Sequence, residues 1–130
     1  MLDSVARQGR AGSKPVGPSR LGMMRILESA PTGVLVFTRD GMIQYANAKA
    51  GALFGMAAAA MHDLPMRLFH DTPDSWRRLL DTLTTRGEVA AATVKLRRVG
   101  GVSFLAQVDW RETRFNDKDC VLCWVHDVSG

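Results

Sequence analysis

Six consecutive residues near the C-terminus, Cys120 to Val125, carry no charge and are apolar at both odd and even positions. Side chains of a strand alternate between the two faces of its sheet, so a strand of this kind is buried on both faces and lies centrally in a sheet. Val34 to Phe37 has the same character. The chain must therefore build a sheet around these two segments and cover both faces of it.

The other strands are amphipathic. Ala90, Ala92, Val94 and Leu96 share one apolar face, with Thr93, Lys95 and Arg97 on the other. Val102, Phe104, Ala106, Val108 and Trp110 alternate against Ser103, Gln107, Asp109 and Arg111. Gly100-Gly101 and Asn116 to Asp119 supply the turns between these strands. Earlier, Val34 to Phe37 leads through Arg39-Asp40-Gly41 into Met42 to Ala46, which reads as a hairpin.

Helices fill the interval. Asn47 is placed to cap Ala48 to Phe54, and Gly55 to end it. The stretch from there to Phe69 reads as short helical turns broken at Pro65. Thr72-Pro73-Asp74 combines a capping hydroxyl, a proline at the first helical position and an acid at the positive end of the dipole. Trp76, Leu79, Leu80 and Leu83 then form one apolar face, and Gly87 closes the helix. A further helix runs from near Arg20, with Ser19 as its cap, to Ser29, and Pro31 stops it. The expected fold is α+β: a five-stranded antiparallel sheet with short helices and one longer helix on one face. The opposite face needs the helix ending at Ser29, or a second copy of the protein.

At 130 residues the chain fits one domain. Its net charge of +4 and pI near 9.6 point at first to an acidic partner. The excess lies wholly in residues 1–25, where five basic residues face Asp3, while residues 26–130 hold twelve of each sign. Residues 1–20, with their scattered glycines, prolines and serines, read as a disordered basic linker or arm. The domain is expected over 21–129, with 21–29 as its flanking helix. A neutral domain without a row of stacking aromatics argues against nucleic acid, whose binding by the arm is the alternative. The longest uncharged apolar run, the twelve residues Ala50 to Met61, is too short to span a membrane, and residues 1–22 lack the hydrophobic block of a signal peptide. Two cysteines exclude a disulfide scaffold.

In this order, several short motifs resemble one family. Ile26-Leu27-Glu28-Ser29-Ala30-Pro31-Thr32-Gly33, then Asp40-Gly41-Met42-Ile43-Gln44-Tyr45-Ala46-Asn47, then Leu53-Phe54-Gly55 are similar to the signature of PAS domains. Asp127-Val128-Ser129 resembles the acidic exit motif with which such domains hand over to an effector. The resemblance implies a cupped sheet, a helical wrap and a small cavity between them. It also implies a cytoplasmic sensor module cut from a larger bacterial signalling protein, such as a histidine kinase or diguanylate cyclase. The effector would then follow in the same polypeptide. A homodimer is expected through the Leu21–Ser29 helix and the outer sheet face, with no membrane contact by this segment.

Candidate chemistry is sparse. Cys120 and Cys123 have C-x-x-C spacing, but on a strand they point to opposite faces about 10 Å apart, too far for a disulfide or a shared metal. His62 and His70 are expected at the surface. Haem-binding relatives place the iron ligand on the long helix, where Pro73 to Arg86 has no histidine. Cysteinyl-flavin relatives need a cysteine before that helix, and Leu64 to Asp71 has none. Haem held by His62 or His70 and non-covalent flavin stay open on these motifs, and the cofactor is otherwise expected to be a small metabolite or none. No nucleophile elbow, P-loop or dinucleotide motif occurs, so the chain does not read as an enzyme. A cupped-sheet enzyme would require an acid–base residue inside the cavity. The expected cavity lining is Trp76 and Leu80 from the helix with Phe104, Ala106, Val108 and Trp110 from the sheet. Asn47 and Gln107 would orient a ligand there, and Ala90 and Ala92 would leave room.

Overall fold

The computed structural model describes residues 20–129; the expected linker over 1–20, apart from Arg20, which begins the first helix, and the Ser19 cap lie outside them. Its strands are β1 (Gly33–Thr38), β2 (Ile43–Ala46), β3 (Glu88–Arg97), β4 (Ser103–Phe115) and β5 (Lys118–Asp127). They form one five-stranded antiparallel sheet in the order β2-β1-β5-β4-β3. The two-sided apolar segments β5 and β1 are interior strands, as their sequences require. Along β5, Val121, Cys123 and Val125 join the main core, while Cys120, Leu122 and Trp124 face the other way. Cys120 and Cys123 are both buried and both free, on opposite faces. Burial pushes the Cys123 thiol up to about 12, which makes it an inert packing group.

One face of the sheet is covered by α2 (Ala48–Phe54), 3-10 turns at Ala58–Met61 and Met66–Phe69, and α3 (Pro73–Arg86). Thr72 Oγ1 accepts from Ser75 N at 3.2 Å, Pro73 occupies the first turn, and Gly87 ends α3 in the left-handed region at φ 83°. Leu79 and Leu83 are buried, whereas Trp76 and Leu80 sit half-buried on the flank of the same stripe. Each of the two buried leucines stabilises the fold by roughly 1.5–3 kcal/mol.

Two bulges adjust which residues face inward. Phe37 pairs with Ile43 and Val36 with Tyr45, so Gln44 is an extra residue. Ile43 and Ala46 consequently both meet the core, and Tyr45 turns to the outer face. On β3 the register slips between Val89 and Ala92, and Ala91 takes a φ of 50°. Asp109 Oδ1 holds this bulge by accepting from Ala91 N at 2.8 Å. Val89 is therefore buried and Ala90 exposed, which corrects the expected inward position of Ala90.

The outer face is covered unevenly. Val34, Val36 and Cys120 are at most 1% exposed. Near them the C-terminal end of α1 (Arg20–Ser29) is tied down: Tyr45 Oη donates to Glu28 at 2.6 Å, and Asn47 Nδ2 donates to Leu27 O at 2.9 Å. Burial and the Glu28 carboxylate raise the Tyr45 phenol, keeping it a donor. Over β5 and β4 the cover thins, leaving Leu122 and Trp124 half-buried and Leu105 45% exposed.

Candidate functional site

A cleft lies beside α3. The 3-10 turn Met66–Phe69 directs Met66 and Phe69 into the core and leaves Arg67 and Leu68 exposed. The chain then runs along the edge strand: His70 bridges Leu96, and Asp71 N donates to Lys95 O at 3.1 Å. Between this segment, the start of α3 and Arg97 opens a cleft of 540 Å³, within the size range of small-molecule sites. Its apolar surface comes from Leu68, Pro73, Trp76 and Leu80, and its polar surface from His70, Asp71 and three arginines, Arg67, Arg77 and Arg97.

Trp76 forms the wall between cleft and core. Its ring lies 5.6 Å from Phe37 and 5.3 Å from Trp110, with Phe37 and Trp110 themselves 5.1 Å apart. The β1–β2 turn fits beneath it. A Cβ on Gly41 would stand 3.0 Å from the indole, at a φ of 92° that already favours glycine. His70 meets Trp76 edge-on at 5.3 Å, and its Nδ1 shares a hydrogen bond of 2.9 Å with Ser75 Oγ. At 5% exposure, burial holds the imidazole down to about 4, so it is neutral at physiological pH. The expectation that His70 lies at the surface is corrected. The cap at Thr72 folds the chain back so that residues five apart in sequence meet. His62, by contrast, is exposed beside Asp63.

Charge in the cleft is mostly compensated. Arg77 pairs with Asp74 at 2.7 Å, and Arg97 donates to Asp71 O at 2.9 Å with the Asp71 carboxylate 3.7 Å away. The Ser103 hydroxyl, 2.6 Å away, holds the Asp71 carboxyl below its usual range, aided by Lys95 and Arg97. Arg67 has no ion pair among the described residues.

The remaining expected lining residues stand elsewhere. Phe104, Ala106, Val108 and Trp110 are at most 4% exposed and belong to the packed core. Phe104 packs on Phe54 at 5.8 Å rather than on the cleft. Gln107 pairs with Thr93 and His126 on the outer face, because its neighbours Ala106 and Val108 take the inner one. Asn47 is fully buried and fully used. Its Oδ1 accepts from Val34 N at 2.9 Å and Ala50 N at 3.0 Å, while Nδ2 donates to Leu27 O and Thr32 O at 2.9 and 3.0 Å. An amide has four such bonds to give, so Asn47 joins α1, β1 and α2 and has none left for a ligand. Among the described residues the buried polar side chains are Asn47, His70 and Ser75, and the buried carboxylate that a cupped-sheet enzyme calls for is not one of them.

A second polar cluster lies where the chain leaves the sheet. Arg98, next to the cleft residue Arg97, pairs with Asp127 at 2.8 Å and stacks 4.1 Å over the Phe104 ring. Asp127 Oδ1 accepts from Ser129 N at 2.8 Å, Val128 N donates to Leu105 O at 2.9 Å, and Leu105 N donates to Ser129 Oγ at 2.7 Å. The two Ser129 donors, then Arg98, hold the Asp127 carboxyl below its usual range. Gly33, at the start of the sheet, pairs with Val125 beside this latch.

Comparison with known proteins agrees with this geometry. No curated protein matches the chain. Among solved structures, the PAS domain of a LuxR-family transcriptional regulator from Burkholderia thailandensis, in complex with ethanol, is similar at 19% identity. That alignment covers 82% of this chain and 97% of that one, with a TM-score of 0.70. The PAS domain of nitrogen regulation protein NR(II) from Vibrio parahaemolyticus is similar at 18% identity, covering 80% and 95%, with a TM-score of 0.68. A PAS domain from a two-component sensor histidine kinase is similar at 8% identity, covering 81% and 92%, with a TM-score of 0.70. At these identities the likeness establishes the fold. A family model described as the PAS fold matches residues 23–128, most of the chain, and the protein belongs to that family of sensory modules.

Proposed function

We propose that this PAS domain is the sensing part of a larger bacterial signalling protein, of the histidine-kinase or diguanylate-cyclase kind, and that it takes a small organic metabolite in the cleft beside Trp76. The observation that carries this reading is the half-buried indole. It is the partly open member of an otherwise buried aromatic cluster, backed by a neutral histidine and set in a cleft of 540 Å³. A ligand stacking on Trp76 also touches Arg97, whose neighbour Arg98 holds Asp127 at the chain exit. Occupancy is thereby coupled to the latch through Arg97, the last residue of β3, and its neighbour Arg98, and the effector domain beyond the latch receives the change.

The half-covered outer face supports a homodimer. Leu122 and Trp124 are neighbours there, Leu105 is exposed further along β4, and Ile26 on α1 is 57% exposed. Two such faces would bury each other. Two free buried thiols fit a cytoplasmic, reducing location. No described helix is long and apolar enough to cross a membrane.

Native mass spectrometry and an absorption spectrum of the freshly purified protein test the reading together. A mass excess of a few hundred daltons, lost in Trp76→Ala, is expected. A chromophore spectrum of haem or flavin, or a mass excess that survives Trp76→Ala, contradicts it. Solution mass tests the homodimer: a strict monomer at high concentration, unchanged on removing residues 1–29, would sink it.

A further inference from the structure

We infer that the cleft selects a small monocarboxylate with an apolar body, the carboxylate held by Arg67 and the body laid against Trp76 and Leu80. This rests on the cleft's being the ligand site. The chemistry follows from which charges around the cleft are already neutralised. Arg77 has Asp74, and Arg97 has Asp71. Arg67 has no carboxylate partner among the described residues, and its exposed side chain lines the same cleft. One uncompensated guanidinium matches one anionic charge, and its planar fork suits a carboxylate.

The rest of the lining sets the body of the ligand. Leu68, next to Arg67, keeps 55% of its surface exposed, and Pro73, Trp76 and Leu80 continue the apolar surface. An apolar wall with one cation at its rim recognises an acid with a hydrocarbon or aromatic tail. A cationic ligand would meet three arginines. A dianion would have to displace Asp71 or Asp74 from its partner, and Asp71 is anchored besides by Ser103 at 2.6 Å. A polyanionic strand needs several free cations acting together, and the cleft offers one.

Two matched pairs of probes test the assignment by calorimetry on the full chain at neutral pH and low salt. They are phenylacetate against 2-phenylethanol, and hexanoate against 1-hexanol. In each pair the tail is nearly constant and the charge differs. At least one acid should bind about tenfold or more tightly than its alcohol, the discrimination expected of a charge-assisted hydrogen bond. Arg67→Gln should erase that preference by weakening the acids far more than the alcohols. Arg67 is exposed, so the variant should fold, and its circular dichroism spectrum checks this. Trp76→Ala should weaken acids and alcohols alike. Alcohols binding as tightly as acids, with Arg67→Gln silent, would overturn the monocarboxylate assignment and leave the cleft as the site. No binding by any of the four probes, or binding untouched by Trp76→Ala, would overturn both.

Discussion

Two aromatic triads line the same face of the sheet. Phe54, Phe69 and Phe104 pack with ring centroids 4.9 and 5.8 Å apart, and each is at most 5% exposed. Phe37, Trp76 and Trp110 pack at similar distances, but Trp76 is half-buried and a histidine touches its edge. The first triad is sealed: Arg98 covers the Phe104 ring, and no ring face is left open to solvent. The second keeps one wet ring beside arginines and is thereby able to meet something from solution. Ring count and spacing are nearly equal in the two. What separates a core from a recognition surface is one ring left at the boundary with polar groups around it.

Truncation should break the two triads differently. Phe54→Ala removes a fully buried ring and should cost about 3–5 kcal/mol in urea unfolding, with probe affinity unchanged wherever the variant is folded. The milder Phe104→Leu should act in the same direction by less, and either variant losing ligand while remaining folded would join the sealed triad to the site. Trp110 is as buried as Phe54 although it belongs to the second triad. Its truncation should therefore cost both stability and binding.

The next largest effect is a pH dependence confined to the second triad. His70 is held to about 4 against 6.5 when unfolded. Between those values the unfolded chain binds a proton that the folded chain refuses. Stability should therefore be complete above pH 6.5 and fall as the pH drops toward 4, by a total on the order of 3 kcal/mol. His70→Leu should flatten the urea midpoint over that window. The depressed carboxyls Asp71 and Asp127 act below it, as they lose their charge under pH 4. An unchanged slope in His70→Leu would remove the buried histidine from the account.

Trp76→Ala should cost clearly less than Phe54→Ala, about 1–2 kcal/mol, because the ring is only partly buried. Its main effect should be on ligand affinity. The smallest change is expected at the exit latch. Arg98→Ala should leave the unfolding midpoint nearly constant, since exposed ion pairs contribute little, while the Val128 amide exchanges roughly tenfold faster. Exchange at Val128 unchanged by the substitution would detach Arg98 from the exit.

The strands, turns and caps were legible because local rules decide them. The two-sided runs at Val34 and Cys120, the cap at Thr72 and the left-handed glycines at Gly55 and Gly87 act within a few residues. Parity was legible only until a bulge reset it. Ala90 was expected inside and is outside, because the count along β3 cannot register the two unpaired residues between Val89 and Ala92. The site was legible in part. Trp76 and Leu80 line the cleft, but the sheet residues grouped with them pack in the core. Gln107 could have been set aside by its own parity. Asn47 was readable as a cap, but three of its four bonds join segments far apart in sequence. His70 and Arg67 were missed because their surroundings come from a 3-10 turn docked on the edge of β3. The available signal was a histidine and a serine flanking a Thr-Pro helix start, which the reversal at the cap brings together.

The central claim is that ligand meets the open triad and not the sealed face beneath the sheet. An assigned amide and indole correlation spectrum, recorded while titrating phenylacetate and hexanoate, addresses it directly. The Trp76 indole N–H and the Arg67 and Leu68 amides should move most, with Phe54, Phe104 and Ala106 nearly still. The largest shifts at Phe104, Ala106 and Val108, with Trp76 unmoved, would put the ligand beneath the sheet and contradict the account.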